Sequence, residues 1–418
     1  MARELSLGEK LSRDGGIFDV VVVGAGPVGL ALALALGRRS LHNIAVIDKR
    51  PPPTEDRSLR PQLLVARRAD LGNLAWLGVL DERLLRTLSL IEERIVYDPF
   101  AVDTRVTKVD ATRTLADIEL EATWGDRRGI GTLLSQPPAA LLPIGSLQLS
   151  LYEALAALDN VQCFYGVEAT RLRRHVRQVS VELADAPPLR ARLAIVATGS
   201  RRDLLDDVGF VFRDDGETRR VVAGLYARES DVVRWTRTER PWRPHPTVRT
   251  MLLEARRLTA LLCEMPPGVA QKREASVFRG VAAQLGLADA PDLGPSGFDV
   301  RSGAVRSPVI VGDGRAPVIA LGDAALTSHV FSGSVGFVNL ALALELADAL
   351  AGGVKRARDA RVYARYVKRF TQTVRSLHAA AAWLFADYAP GQWCTQGQPR
   401  RRAGASRATP VAERRGSL

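Results

Sequence analysis

Cysteine is scarce in this chain of 418 residues: Cys163, Cys263 and Cys394 stand far apart, with no CxxC pair and no cysteine–histidine cluster. That spacing argues against a disulfide framework and a structural metal, and for a reducing, cytoplasmic setting. Lysine is scarce as well, supplying six of the 58 basic residues. The arginines that make up the rest are spread along the chain without interleaved aromatics. The net charge of +12 therefore reads as composition bias, not as the footprint of a nucleic-acid partner. The sequence also has little that marks a membrane protein. Its longest apolar run, IFDVVVVGAGPVGLALALALG at 17–37, reaches the length of a span. Yet it holds Asp19, Gly24, Gly26, Pro27 and Gly29, which divide it into a strand, a turn and a second element. It lacks the order of a secretory signal too.

What is present is an alternation of buried strands and apolar helices. Residues 17–23 read as a parallel strand, 28–39 as a helix and 44–48 (IAVID) as a second strand. Residues 61–88 carry leucines at helical spacing, 95–143 are mixed, and a helix is expected near 146–158. Strand-like pieces follow at 161–165, 176–183 and 193–197. Between 216 and 300 the texture changes to short alternating segments separated by RPWRPHP, which predicts a separate antiparallel sheet. APVIALGDAAL at 316–326 restores the strand–turn–helix pattern, and 357–388 read as C-terminal helices. The basic tail from Gln392 reads as disordered.

Gly24-x-Gly26-x-x-Gly29 follows a strand and opens a helix, and Asp48 ends the next strand. In that context the glycines have separate tasks: Gly24 the tight turn, Gly26 backbone approach to a pyrophosphate, Gly29 close packing of helix on strand. The helix N-terminus, reached through Ala25 and Pro27 and with Val28 in its first turn, offers free N–H groups, other than at Pro27, to phosphates. Asp48, followed by Lys49, can accept hydrogen bonds from ribose hydroxyls. A dinucleotide is the expected ligand, and this motif alone does not choose between NAD and FAD.

A second strand-to-helix turn bears on that choice. VIALGDAALTSHVFSGSVGFVNLALALELADAL ends a buried strand on Gly322-Asp323 and reaches a long helix through Gly333 and Gly336. An acid and two glycines there suit a ligand long enough to touch both turns. At this point the chain resembles the group A flavoprotein monooxygenases of the para-hydroxybenzoate hydroxylase type. The resemblance rests on the Gly24/Gly26/Gly29/Asp48 unit, on Arg60 in RSLRPQLLVARRADLGNLAWLGVLD, and on Gly322-Asp323. It implies non-covalent FAD, with Arg60 at the flavin nucleotide, Asp323 at the ribityl chain and the Ala169 backbone at adenine.

The resemblance further implies an α/β fold: a doubly wound Rossmann-like FAD-binding domain with an inserted antiparallel-sheet substrate domain and C-terminal helices. The FAD-binding domain is expected at 17–95, 145–215 and 300–350, and the substrate domain at 96–144 and 216–299. An N-terminal arm (1–16), C-terminal helices (351–391) and the tail (392–418) complete the chain. The implied activity is hydroxylation or epoxidation of an apolar or aromatic small molecule through a flavin C4a-hydroperoxide, with NADPH or NADH as reductant.

The sequence departs from the family at the flavin. Thr198 replaces the Asp of the middle Asp-Gly motif, Ile144 replaces a Gln or Arg, and Leu326 and Val330 replace a His and a Pro. The loss at Thr198 bears on direct reduction by nicotinamide and raises two alternatives, an external flavin reductase as partner or a non-redox cyclase acting on a polyene or polyketide-like chain. His329, new in the loop after Asp323, is the one candidate proton donor or acceptor, weighed against a loop histidine bonded to backbone. His245 reads as incidental. Trp235, Trp242, Phe278 and Phe298 are pocket or core residues, with core the better reading for most.

Overall fold

The computed structural model describes residues 17–39, 43–54, 62–97, 105–108, 139–238, 248–266, 268–287, 291–333 and 335–386. The N-terminal arm, Arg60, Trp242, His245, Cys394, the tail and most of 96–144 lie outside the described residues.

The chain opens with β1 (Ile17–Val23), α1 (Pro27–Gly37) and β2 (Ile44–Asp48). It continues through β3 (Leu63–Ala66), α2 (Arg68–Trp76), α3 (Glu82–Thr87), β4 (Ser89–Leu90), β5 (Glu93–Tyr97), β6 (Arg105–Lys108) and β7 (Ala140–Pro143). Next come α4 (Ile144–Ala156), β8 (Val161–Tyr165), β9 (Ala169–Arg174), β10 (Val179–Leu183), β11 (Leu189–Val196) and α5 (Asp203–Asp206). The middle of the chain forms β12 (Phe212–Tyr226), β13 (Arg234–Thr238), β14 (Arg249–Glu254), β15 (Thr259–Glu264), α6 (Gln271–Gln284) and β16 (Leu293–Val305). It closes with β17 (Val309–Ile310), β18 (Val318–Ala320), β19 (Leu326–Thr327), α7 (Val335–Ala349) and α8 (Ala364–Ala386).

The first sheet runs β17-β18-β11-β1-β2-β8, with β10 and β9 added beside β11. β1 pairs in parallel with β2 on one side and β11 on the other, and β2–β8 and β11–β18 are parallel too. Strand order reverses at β1, so a crevice opens beyond its C-terminal end, where such sheets bind ligands. Val20, Val21 and Val22 are fully buried in the main core. α1 packs between α4 and α7, which explains why it is apolar all round. α7 begins a stretch, Val335–Gly352, long and apolar enough to cross a membrane, but 61% of that stretch is buried inside this fold.

The second sheet runs β19-β16-β12-β15-β14-β13-β5-β6. A short third sheet, β3-β7-β4, lies between the two. The expected doubly wound sheet with an inserted, mainly antiparallel sheet is therefore the architecture observed.

Four details differ from the sequence reading. The second sheet takes in 93–95, 212–215 and 300–305, which the reading had given to the first domain. One of its pairs, β5 with β13, is parallel. Residues 63–66 are a strand, not helix: Leu64 and Val65 pair with β7, and tertiary pairing overrides the leucine spacing. Within 216–300, α6 was not anticipated; its Phe278, Val281 and Ala282 cover the outer face of β12 and β15.

Candidate functional site

A cleft of about 310 Å³ lies at the C-terminal edge of the parallel sheet. Four strand ends converge on it: Gly24 after β1, Asp48 closing β2, Thr198 after β11 and Gly322 after β18. Gly26, Pro27, Val28, Gly29, Lys49, Ala169, Asp323 and Gly336 also line it. The residues expected at a dinucleotide site are thus brought together, apart from three. Ala25 and Gly333 are not on the cleft wall, and Arg60 lies outside the described residues.

The three glycines of the first turn are not equivalent. Gly24 has φ +111°, and a Cβ there would lie 2.3 Å from the Ala197 carbonyl oxygen. A Cβ on Gly29 would lie 2.1 Å from the Gly24 carbonyl oxygen, so helix and strand meet there. Around Gly26 a Cβ would meet nothing within 4 Å. Only Gly26 leaves a space that the protein itself does not use. It caps α1, whose first-turn N–H groups lack intrahelical acceptors and favour an anion. From α4, the buried Gln148 donates its amide to the Ala25 carbonyl at 2.5 Å and braces this turn.

Asp48 is 7% exposed and is fully engaged. Its Oδ2 accepts from the Ala25 N–H at 2.8 Å and from Arg50 Nη2 at 2.6 Å. Its Oδ1 accepts from the Arg50 backbone N–H and Nε, both at 2.9 Å. Burial alone would raise this carboxyl, but the Arg50 and Ala25 hydrogen bonds outweigh it and hold the pKa below its ordinary value. A carboxylate offers about four acceptor sites, and all are taken. A ribose at Asp48 must therefore displace Arg50. Sequence reasoning missed Arg50, although its place two residues after the acid was visible.

At the opposite end, Asp323 is exposed to the cleft. Its Oδ1 accepts from the Asn339 amide at 2.9 Å, and the same amide reaches the Leu326 carbonyl at 3.2 Å. Asn339 is buried on α7 beside Val338 and Leu340 and fixes Asp323 from behind. Thr198 lies on the cleft wall, but its hydroxyl donates to the Arg201 carbonyl at 2.6 Å and closes its own turn. It therefore does not replace the acid of the resembled motif. Ile144 also lines the cleft and offers no hydrogen bond from its side chain. At the rim, Glu168 pairs with Arg201 and with Lys49 at 3.5 Å. The Arg201 hydrogen bond leads in holding the Glu168 carboxyl below its ordinary range.

His329 does not face this cleft. It is fully buried, its Nδ1 accepts from the Phe331 N–H at 3.1 Å, and its Nε2 lies 3.0 Å from Glu264. Glu264 in turn binds Arg249 at 2.7 Å, with Arg219 at 3.6 Å. Burial pulls the His329 pKa below its ordinary value against the pull of Glu264. The expectation of a proton-transferring histidine beside the cleft is corrected: a neutral imidazole ties the 329–333 loop to β15. Gly333 takes φ +60° there, and its carbonyl accepts from Arg67 Nη1 at 3.3 Å. Of the expected aromatics, Trp235 and Phe278 are core residues and Phe298 is partly buried against the core. No group of acidic, histidine or cysteine side chains suited to a metal ion occurs among the described residues.

Comparison with known proteins agrees with this geometry at the level of fold. No family model matches the chain. A stretch of 41 residues is 54% identical to an FAD-dependent urate hydroxylase of Xanthomonas campestris pv. campestris; it spans 10% of this chain and only 9% of the hydroxylase. Among solved structures, a p-nitrophenol 4-monooxygenase from Pseudomonas putida DLL-E4 is similar over 88% of each chain, with TM-score 0.69 and 18% identity. An aklavinone-11 hydroxylase, solved with FAD and aklavinone, is similar over 90% of this chain and 70% of its own, with TM-score 0.65 and 20% identity. A probable FAD-dependent monooxygenase from Pseudomonas aeruginosa is similar over 87% and 96%, with TM-score 0.59 and 21% identity. The chain shares with these structures one fold, a Rossmann-like sheet carrying an inserted substrate sheet and C-terminal helices.

Proposed function

We propose that this chain binds FAD along the C-terminal edge of its parallel sheet and acts as an FAD-dependent monooxygenase on a small apolar or aromatic organic molecule. The observation that carries the reading is the open space at Gly26, set between Asp48 and Asp323 in one cleft. The residues present fit FAD. The Gly24–Gly29 turn and the start of α1 would hold the pyrophosphate, and Asp48 the adenosine ribose once Arg50 has swung away. The Ala169 backbone would meet adenine, Asp323 and Gly322 the ribityl chain, and Gly333 and Gly336 the region of the flavin ring. When bound, FAD supplies the redox and oxygen-activating chemistry.

The chain's own part is binding, orientation and exclusion of water. Leu63 and Val65 on β3, Leu141 on β7 and Phe331 pack against Leu253 and Leu262 of the second sheet. This seam runs beside the cleft, since Leu64 of the same β3 lines it. A substrate entering between sheet and loop would meet hydrocarbon on most sides. His329 and Glu264 serve as positioning residues that hold the loop.

The test is to load the purified chain with FAD, mix it anaerobically with NADPH and then NADH in the presence of candidate aromatic substrates, and follow the visible flavin absorbance. Bleaching by a nicotinamide, with reoxidation and substrate hydroxylation in air, supports the proposal. Thr198→Asp should quicken bleaching if the missing acid limits reduction. Bound flavin that neither nicotinamide bleaches would favour an external flavin reductase or the non-redox cyclase, because Thr198 spends its hydroxyl on its own turn. A chain that takes up no FAD would overturn the reading.

A further inference from the structure

The loop that leads to the Gly336 end of the cleft is fastened from two sides. Towards the second sheet, the His329 ring meets Glu264, and the Phe331 carbonyl accepts from Arg237 Nη1 at 3.2 Å. Towards the first domain, the Gly333 carbonyl accepts from Arg67 Nη1 at 3.3 Å. β3 backs both glycines of this stretch: a Cβ on Gly333 would lie 3.4 Å from Val65, and one on Gly336 would lie 3.4 Å from Leu64. Gly336 and Leu64 line the cleft. A shift at the Gly333 carbonyl is therefore passed to the cleft wall three residues on.

Arg67 is an uncommon residue for its place. It caps α2, where a short side chain carrying an acceptor is favoured, yet a guanidinium has donors only and makes no cap bond here. The side chain is buried. Its Nη1 stands between two acceptors, the Gly333 carbonyl and, at 3.8 Å, Asp70 Oδ2. The same Asp70 oxygen already accepts from the Arg67 N–H at 2.8 Å. Asp70 is buried too, and Arg67 is the charged side chain that acts on it. An ionised Asp70 draws the guanidinium to itself; a neutral one leaves it to the carbonyl.

We propose that Arg67 and Asp70 form a positioning pair for the cofactor loop, in which Arg67 holds the Gly333 carbonyl and the charge on Asp70 sets how firmly. The inference rests on the proposed function in taking Gly333 and Gly336 to face the flavin. Burial pushes the Asp70 carboxyl up to about 7. Loop opening lets water reach it and returns it towards its ordinary range, so opening releases a proton and becomes easier as pH rises between about 4 and 7. His329 acts with the opposite sign. Burial holds its pKa below the ordinary value, so opening becomes harder as pH rises towards about 6.5. Against burial, His329 and Arg249 keep Glu264 below its ordinary range, and it titrates beneath this window. Asp70→Asn isolates the Asp70 part, because it keeps an acceptor for the Arg67 N–H and removes only the charge.

The experiment is amide hydrogen exchange of the full chain without flavin, read by mass spectrometry on peptides covering Phe331 to Gly333. These N–H groups are bonded within the loop, Phe331 to His329 Nδ1, Ser332 to the His329 carbonyl and Gly333 to the Val330 carbonyl. Protection is expressed relative to Val20 to Val22, which report global unfolding. Wild-type loop protection divided by that of Asp70→Asn should fall about threefold or more from about pH 5 to about pH 7. Arg67→Met should lower loop protection by about tenfold, the scale of a hydrogen bond from a charged donor, and Arg67→Lys should recover part of it. On titration with FAD, Arg67→Met should bind about threefold or more weakly, with Arg67→Lys between it and the wild type. If Arg67→Met does not fold, Arg67→Lys and Asp70→Asn carry the test. A flat ratio, an Arg67→Met loop as protected as the wild type, or a loosened loop that binds FAD equally well would overturn the pair. Exchange is read without flavin, so a wild-type chain that takes up no FAD but shows the falling ratio would sink the oxygenase reading and leave the loop's proton linkage standing. FAD uptake with a flat ratio would do the reverse.

Discussion

The two large sheets bury both their faces by different means, and the difference decides where chemistry can sit. In the parallel sheet the strand interiors are uniformly apolar: Val20 to Val22 and Ile44 to Val46 are at most 1% exposed. The polar groups that reach the cleft stand at the strand ends, as backbone turns at Gly24 and Gly322 and as the tips Asp48 and Asp323; Asp19 of β1 pairs with Arg192 of β11 towards the other end of the sheet. The second sheet carries charge within its body. Arg249 and Glu264, opposite each other on β14 and β15, are fully buried, and His329 joins them from the loop. Arg237 reaches the Phe331 carbonyl of the same loop. The first sheet offers a cleft made of main chain and strand ends, while the second carries its charge in side chains on its faces.

The sharpest way to break this contrast is to strip the buried charge of its partner. Glu264→Ala should destabilise the protein by about 3–5 kcal/mol, since Arg249 would remain buried and uncompensated. Glu264→Gln, which keeps the shape, should cost less. Denaturant unfolding monitored by circular dichroism measures both, and a loss in Glu264→Ala within the scatter of ordinary surface substitutions would contradict the role given to the cluster.

The glycines of the first sheet come next. Gly29→Ala drives a methyl group against the Gly24 carbonyl and should cost about 1–3 kcal/mol by overpacking. Gly26→Ala, three residues away, meets open space and should change stability by about 0.5 kcal/mol or less. Equal losses at the two positions would remove the argument that Gly26 alone is reserved for a ligand.

That division of labour was legible in the sequence, because strand, glycine spacing and terminal acid lie within one short segment and each has a physical task. Asp323 was legible for the same reason. Arg50 was not, since its hold on Asp48 depends on a side chain folding back across two residues. His329 was misplaced because spacing along the chain put it near the flavin, while the loop turns its ring towards β15. Nor could Glu264 and Arg249 be singled out: each lies in an unremarkable strand, and only cross-strand register shows that their charges meet. Local motifs specify strand ends; the chemistry of a sheet face waits on long-range pairing.

A smaller effect probes the join between the sheets. Asp70 is 1% exposed and accepts from the Arg67 N–H at 2.8 Å. Burial pushes its carboxyl up to about 7. With the folded pKa above the unfolded one, the native state binds the extra proton, so stability is full at low pH and declines as pH rises between about 4 and 7. Asp70→Asn should flatten that part of the pH–stability profile. An unchanged slope would show that Asp70 titrates normally. The smallest effect expected is at Arg50, which is partly exposed. Arg50→Ala frees one acceptor position on each oxygen of Asp48, leaving the two backbone N–H bonds in place, and should tighten FAD binding by about two- to fivefold, the scale of an exposed ion pair.

The central claim is that the cleft at the parallel strand ends exists to hold FAD, and direct titration tests it. The wild-type chain and Gly26→Asp would be titrated with FAD by quenching of flavin fluorescence, with unfolding curves recorded alongside. The account predicts one non-covalent FAD per wild-type chain, and no binding by a Gly26→Asp variant that unfolds like the wild type. A wild-type chain that leaves FAD free, or a folded Gly26→Asp that binds it equally well, would contradict it.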